Sequence, residues 1–301
     1  MLMVQLNPFI IEGYLSPEYF CDRVEETALL TRHLTNRCNV ALIAPRRLGK
    51  SGLIYNCFQQ ENIREQYHCI YIDIYDTKNL NEFVYALGKG ILTALKPKGR
   101  KVWEFFLNTL QSLKSTISFD INGNPEWSVG IGDIQTPEIT LDEIFAYLEQ
   151  ADKPCLIAID EFQTIANYPE KTVEASLRKR IQNCHNANFV FSGSKRHMMA
   201  LMFTSQSRPF YHSSSIMGLE AINEQTYLAF ANHHLSKNHK RRLVLRLLLI
   251  YIIVSMVSHG TSSMFSICFI LPSPTSRCWK KMMLSLRLMA YLPSIALPIK
   301  R

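Results

Sequence analysis

Two short segments carry residue types suited to handling phosphate. Residues 44–51 read Ala44-Pro45-Arg46-Arg47-Leu48-Gly49-Lys50-Ser51, which fits G-x-x-x-x-G-K-[ST] apart from alanine at the first position. In such a loop, backbone N–H groups and a helix N-terminus converge on an anion. Gly49 lets the main chain approach the phosphates, Lys50 reaches the β- and γ-phosphates, and the Ser51 hydroxyl ligates Mg2+. Ala44 forfeits one permissive backbone position but no donor, and Gly52 extends the binding segment. Further along, Leu156-Ile157-Ala158-Ile159-Asp160-Glu161 is an apolar run ending in two carboxylates. This is the Walker B arrangement: Asp160 holds Mg2+ through its water shell, and Glu161 polarises the attacking water. Glu161 and Lys50 are therefore the expected catalytic pair, with Ser51 and Asp160 on the metal. Either segment alone recurs as a chance match or as a solvated strand end; both together, in this order, argue for ATP and Mg2+.

A third element is Phe189-Val190-Phe191-Ser192-Gly193-Ser194. A polar residue after the next strand can sense the γ-phosphate, and Ser192 or Ser194 fills that role, although a plain strand-to-loop turn explains each equally well. Arg178, Arg180, Lys195, Arg196 and Arg208 are candidates for an arginine finger, but a solvated face is the commoner role for such residues. His197 and His212 lack ligand spacing and are read as structural.

These residues need strands that end beside one another. Cys38–Ala44, His68–Ile74, Pro154–Asp160, Asn188–Ser192 and Ser215–Leu219 are short apolar runs, read as strands. Helical periodicity marks Asp22–Thr35, Lys50–Gln60, Asn79–Leu95, Lys101–Leu113, Val173–Cys184 and Asn223–His234. A further helix is expected over Thr140–Gln150, with Thr140 as cap and Glu143 completing a capping box. Thr116–Ile131 alternates around Asn122-Gly123-Asn124-Pro125 and is read as an inserted β-hairpin. Near-continuous apolar strands alternating with helices predict an α/β fold whose mainly parallel sheet is covered on both faces.

The chain of 301 residues is 47% hydrophobic and 19% charged, enough apolar content for a substantial core. Its net charge of +8 is local. The last acid is Glu224, and 11 of the 33 Lys and Arg residues lie from Lys237 onward. The remainder holds 22 basic and 25 acidic residues, a balance of −3, so the basicity belongs to the tail and says nothing about a nucleic-acid-binding face of the body. The eight cysteines form no Cys-x-x-Cys, and several, such as Cys69 and Cys155, sit in apolar runs, as buried hydrophobes do in a reducing cytoplasm. The N-terminus lacks the pattern of a signal peptide.

In order, NPF…G, YFCDR, APRRLGKSGL, IAIDEFQ, YPEK…LR, FSGSKRHMM and MF…RPFY resemble the prokaryotic P-loop ATPases of the AAA-like, STAND-related group, over about residues 7–236. The resemblance implies a three-layer ASCE (RecA/AAA-like) P-loop NTPase sheet of order 5-1-4-3-2, with ATP at its C-terminal edge. It also implies that Phe20-Cys21-Asp22-Arg23 lies near the adenine, so that Asp22 and Arg23 join the nucleotide site. Members have a helical lid and a winged helix after the core and are regarded as nucleotide-driven switches, with a protein partner or self-association to match. The expected organisation is a lead-in and first helix (1–36), an ATPase core (37–220, hairpin 116–131), the start of a lid (221–240) and an atypical tail (241–301).

That tail is apolar and basic with no acid. Leu243–Val257 spans 15 residues and includes Arg246; a membrane span needs about 20 apolar residues, so an anchor is disfavoured. A buried helix is a second reading, and a frameshift in the coding sequence is the third and preferred one. Where the family has Gly-x-Thr-Trp-Tyr-x-Gln, Val254–Phe269 back-translated and read from the third base of each codon permits FDGFTWYVQYVLNMFY. On that reading the lid is truncated and the winged helix, with any nucleic-acid contact it would make, is missing.

Overall fold

The computed structural model describes residues 13–95, 112, 117–119, 125–127 and 134–236. The expected helix Lys101–Leu113, the hairpin's turn, the apolar tail and the segment read as frameshifted lie outside these residues, Ser112 alone excepted. The chain divides into two compact units, one of them Asp22–Ile222; residues 13–21 and 223–236 belong to the other.

In the larger unit, five strands form one parallel sheet: β1 (Val40–Ile43), β2 (His68–Asp73), β5 (Cys155–Asp160), β6 (Ala187–Gly193) and β7 (Ser215–Gly218). Their order is β2-β5-β6-β1-β7, which is 5-1-4-3-2 read from the other edge with these strands alone numbered. The α/β class and the sheet order thus match the P-loop NTPase expectation. Two short strands, β3 (Ile117–Phe119) and β4 (Pro125–Trp127), pair antiparallel as the inserted hairpin. Every residue of β5 and β6 is buried, because parallel strands at the centre of a sheet are covered on both faces.

Alternation along the strands separates those faces. Ile70, Ile72, Cys155, Ile157, Ile159, Phe189 and Phe191 share one core with α4 (Leu80–Ala94), α5 (Pro137–Glu149), α6 (Val173–Asn183) and α7 (Arg196–Thr204). On the opposite side, α1 (Val24–Thr35) packs against α2 (Lys50–Phe58) and β1, and the short α3 (Glu61–Gln66) follows α2. α4 begins at Asn79, whose side chain accepts the Glu82 N–H at 2.9 Å while Glu82 accepts the Lys78 N–H at 2.8 Å. Such a cap contributes about 1 kcal/mol.

One expectation is overturned. Thr140 does not cap α5: the helix starts at Pro137, a residue pre-shaped for the first helical position, and Thr140 lies within it. Its hydroxyl donates back to the Thr136 carbonyl at 3.1 Å, and Glu143 accepts from Ser112 instead of the backbone N–H of a cap. α3, α7 and a 3-10 turn over Phe162–Asn167 were not expected from periodicity.

In the smaller unit, a 3-10 turn (Pro17–Tyr19) meets α8 (Glu224–Ser236). The Tyr19 ring stacks on His234 at 5.5 Å, and His234 Nε2 donates to the Glu18 carbonyl at 3.0 Å.

Candidate functional site

The loop after β1 turns back on itself to start α2. Arg47 (φ 67°) and Gly49 (φ 82°) both occupy the left-handed region. A Cβ on Gly49 would meet nothing within 4 Å, so glycine serves the backbone angle there and not a lack of room. Ala44 is buried, and its N–H donates to the Gly193 carbonyl at 3.4 Å, tying the loop to β6.

Lys50 is only 7% exposed. Its Nζ donates to the carbonyls of Ala44 (3.0 Å) and Pro45 (3.1 Å), beneath its own loop. Burial pushes its pKa down, and the nearby Asp160 and Glu161 carboxylates oppose that shift. An anion entering the loop therefore exchanges two neutral carbonyl partners for charged oxygens, a stronger class of hydrogen bond. Arg46 is 60% exposed, with its guanidinium 5.2 Å from the centre of the Tyr75 ring and its Nε 4.0 Å from Glu161 Oε1.

The carboxylates arrive from the adjacent strand ends. β5 pairs with β2 so that Asp160 faces Asp73 across the sheet. Asp160, 7% exposed, accepts from Ser51 Oγ at 2.9 Å and from the Tyr71 hydroxyl on the same oxygen, Oδ2. Its Oδ1 accepts the Glu161 N–H at 2.9 Å. Burial raises the pKa of Asp73, with Asp160 and Glu161 adding to the effect, so this end of the sheet is rich in negative charge.

Glu161 leaves the strand in the left-handed region (φ 55°). Its Oε2 accepts from Ser194 Oγ at 2.7 Å and from Gln163 Nε2. The next residue, Phe162, is fully buried in a ring cluster with Phe191, Phe203 and Phe210 at centroid distances of 4.5, 6.0 and 5.1 Å. That anchor, of a kind worth about 3–5 kcal/mol when truncated to alanine, holds the strained turn in place. Gly193 is equally constrained: a Cβ there would lie 2.3 Å from Gln163 Oε1.

Lys50, Ser51, Asp160, Glu161 and Ser194 are thus brought together. Ser192 is not part of that group: it is fully buried within β6, paired in register with Leu42, and its hydroxyl has no partner. Asp22 (φ 61°) and Arg23 (φ 68°) form the bend before α1. The buried Arg23 guanidinium donates to the carbonyls of Leu48 (3.2 Å) and Glu220 (2.5 Å) and to Glu26 (2.6 Å), bracing the phosphate loop. Two finger candidates are engaged elsewhere: Arg180 with Glu138 and Asp142, and Arg208 with Glu174. Gln163 and Tyr71 went unassigned in the sequence, although alternation along β2 puts Tyr71 on the same face as Asp73.

No group of three or more His, Cys, Asp or Glu side chains among the described residues could by itself hold a metal. No helix among them is long and apolar enough to cross a membrane. No protein-family model matches the sequence, and no curated protein does. Solved structures match the fold. A Walker-type ATPase of Pyrococcus abyssi is similar at TM-score 0.61 and 17% identity, over 94% of this chain and 77% of that one. The ORC1 protein of Aeropyrum pernix, solved in complex with DNA, is similar at TM-score 0.57 and 10% identity, over 91% of this chain and 66% of that one. The ORC2 protein of the same organism, solved in ADPNP-ADP complexes, is similar at TM-score 0.53 and 15% identity, over 86% and 63%. The chain thus spans about two-thirds of the length of either ORC protein. At these identities the likeness establishes the P-loop NTPase fold.

Proposed function

We propose that the chain binds ATP with Mg2+ and hydrolyses it to ADP and phosphate, working as a nucleotide-driven switch. The observation that carries this reading is the 2.9 Å bond between Ser51 Oγ and Asp160 Oδ2, made by residues 109 positions apart. A hydroxyl at the start of the loop's helix meets a carboxylate at the end of β5, next to an ammonium held only by main-chain carbonyls. Hydroxyl and carboxylate oxygens are the hard donors that Mg2+ takes. Mg2+, when bound, neutralises charge on the β- and γ-phosphate oxygens.

The protein's own residues do the rest. The loop amides and Lys50 hold the phosphates, Ser51 and Asp160 hold the metal side, and Glu161 polarises the water. Ser194 and Gln163 keep the Glu161 carboxylate in place. Arg180 and Arg208 are engaged in local ion pairs, which leaves Arg46, Arg178, Lys195, Arg196 or an arginine from a second copy to meet charge on the transferred phosphoryl group. The nucleotide complexes of the ORC2 protein support the same use of this fold.

Lys50→Ala should weaken ATP binding by about 100-fold, the scale of a lost pair of charge-assisted hydrogen bonds. Glu161→Gln should keep nucleotide and lose turnover by about 10²–10⁴-fold, the usual contribution of a general base. Equal nucleotide affinity in wild type and Lys50→Ala would sink the site. A second reading, tight nucleotide retention with negligible turnover, is favoured by one feature: Glu161 Oε2 already accepts two hydrogen bonds. A phosphate-release assay on the wild type separates the two.

A further inference from the structure

The geometry points to Tyr71 as a positioning residue on the metal side of this site: its phenol fixes the Asp160 carboxylate and so sets the Mg2+ requirement of nucleotide binding. This rests on the ATP–Mg2+ reading above. Tyr71 lies on β2, two residues before the strand's last residue Asp73, and pairs in register with Ala158 of β5. Alanine at that position leaves the larger ring room to lean towards Asp160. The ring packs on Tyr55 of α2, with centroids 4.7 Å apart and planes inclined at 30°. The helix that carries Lys50 and Ser51 therefore also holds the ring in place.

The Tyr71 hydroxyl donates to Asp160 Oδ2, the oxygen that also accepts from Ser51. With the Glu161 N–H on Oδ1, the carboxylate receives three donors at 7% exposure, where water contributes little. Each donor restricts a different motion. The Glu161 amide sits on the same stretch of backbone as Asp160 and fixes only one oxygen. Ser51 is itself a metal ligand in the proposed site, so its hydroxyl has a second task. Tyr71 makes the remaining bond from a different strand, with no metal-ligating task of its own. A carboxylate oriented in this way meets the metal's water shell without first losing rotational freedom.

The test uses the full chain and a fluorescent ATP analogue, titrated at increasing Mg2+ and again in EDTA. Tyr71→Phe keeps the ring and deletes the hydroxyl; Tyr71→Met fills similar space with neither. Both should raise the half-saturating Mg2+ concentration by about tenfold, the lower end for loss of a hydrogen bond to a metal-binding carboxylate. Affinity in EDTA should stay at the wild-type value. Mn2+ binding to the ADP complex, followed by electron paramagnetic resonance, should weaken by the same factor. An unchanged Mg2+ requirement in a folded variant overturns the role of Tyr71 alone, provided the wild type shows Mg2+-dependent binding. Equal losses with and without Mg2+ make the residue a packing element and overturn it too, as does failure of both variants to fold. Wild-type binding indifferent to Mg2+ overturns the ATP–Mg2+ reading, and this inference with it.

Discussion

Gln163 and Ser194 meet on a single oxygen of Glu161, one donating from the turn after β5 and the other from the loop after β6. A carboxylate held in this way has a defined orientation towards water, so the effect of Gln163 on turnover should pass through Glu161. Gln163→Leu is expected to lower turnover by about tenfold, the scale of one hydrogen bond to a charged group, with nucleotide affinity unchanged. In a Glu161→Gln background the same substitution should add nothing; a full additional loss there, measured by phosphate release, would give Gln163 an independent task. The loop 44–51 and the pair Asp160-Glu161 were legible in the sequence because each is a contiguous run whose chemistry is set by neighbours in the chain. Gln163 and Tyr71 were not, because their partners depend on which strands lie side by side. Between Ser192 and Ser194 the sequence had no basis for choice. Alternation assigns both to one face; Ser192 is buried within β6, whereas Ser194 lies just past its end, where its hydroxyl reaches Glu161.

The five strands of the main sheet were readable as apolar runs, and the helices over 22–35, 79–95 and 173–184 as periodic stripes, each within a few residues of its observed ends. α7 escaped because its nine residues follow a Ser-Gly-Ser-Lys stretch that reads as loop, and its apolar face is settled by packing on β1 and on the turn after β5. Thr140 misled because a capping pattern competes with a proline three residues earlier, and proline's fixed φ wins the first helical position. The elements also bury thiols. Burial pushes Cys57 of α2 up to about 11, and Cys155 of β5 and Cys184 after α6 up to about 12. Their ordinary value is 9.0, so above that pH the unfolded chain releases protons that the native one keeps. Native stability should therefore hold below pH 9.0 and fall as pH rises towards about 12, seen as a declining urea midpoint between pH 8.5 and pH 10.5 of roughly 1 M or more. A midpoint flat across that range would contradict the burial of these thiols.

All the residues proposed to touch phosphate or metal fall within the unit Asp22–Ile222. Its charge balance, unlike that of the whole chain, is not basic, because the acid-free stretch lies beyond Glu224. Nucleotide affinity should accordingly be the same, within about twofold, for residues 1–240 and for the full chain in a fluorescent-nucleotide titration; a large loss on truncation would give the tail a part in the site. Self-association or adhesion to acidic surfaces, by contrast, should follow the tail and fade with salt. The Arg23 bridge adds a matter of timing. Its guanidinium joins Leu48 near the start of the unit to Glu220 at the very end, and Arg23 itself precedes Glu220 by 197 positions. While the ribosome is still building the chain, the segment carrying Leu48 emerges long before Glu220 exists. The final clasp closes only when synthesis has passed the whole core, so a polypeptide released early would carry the complete phosphate-handling sequence without the fastening that steadies it.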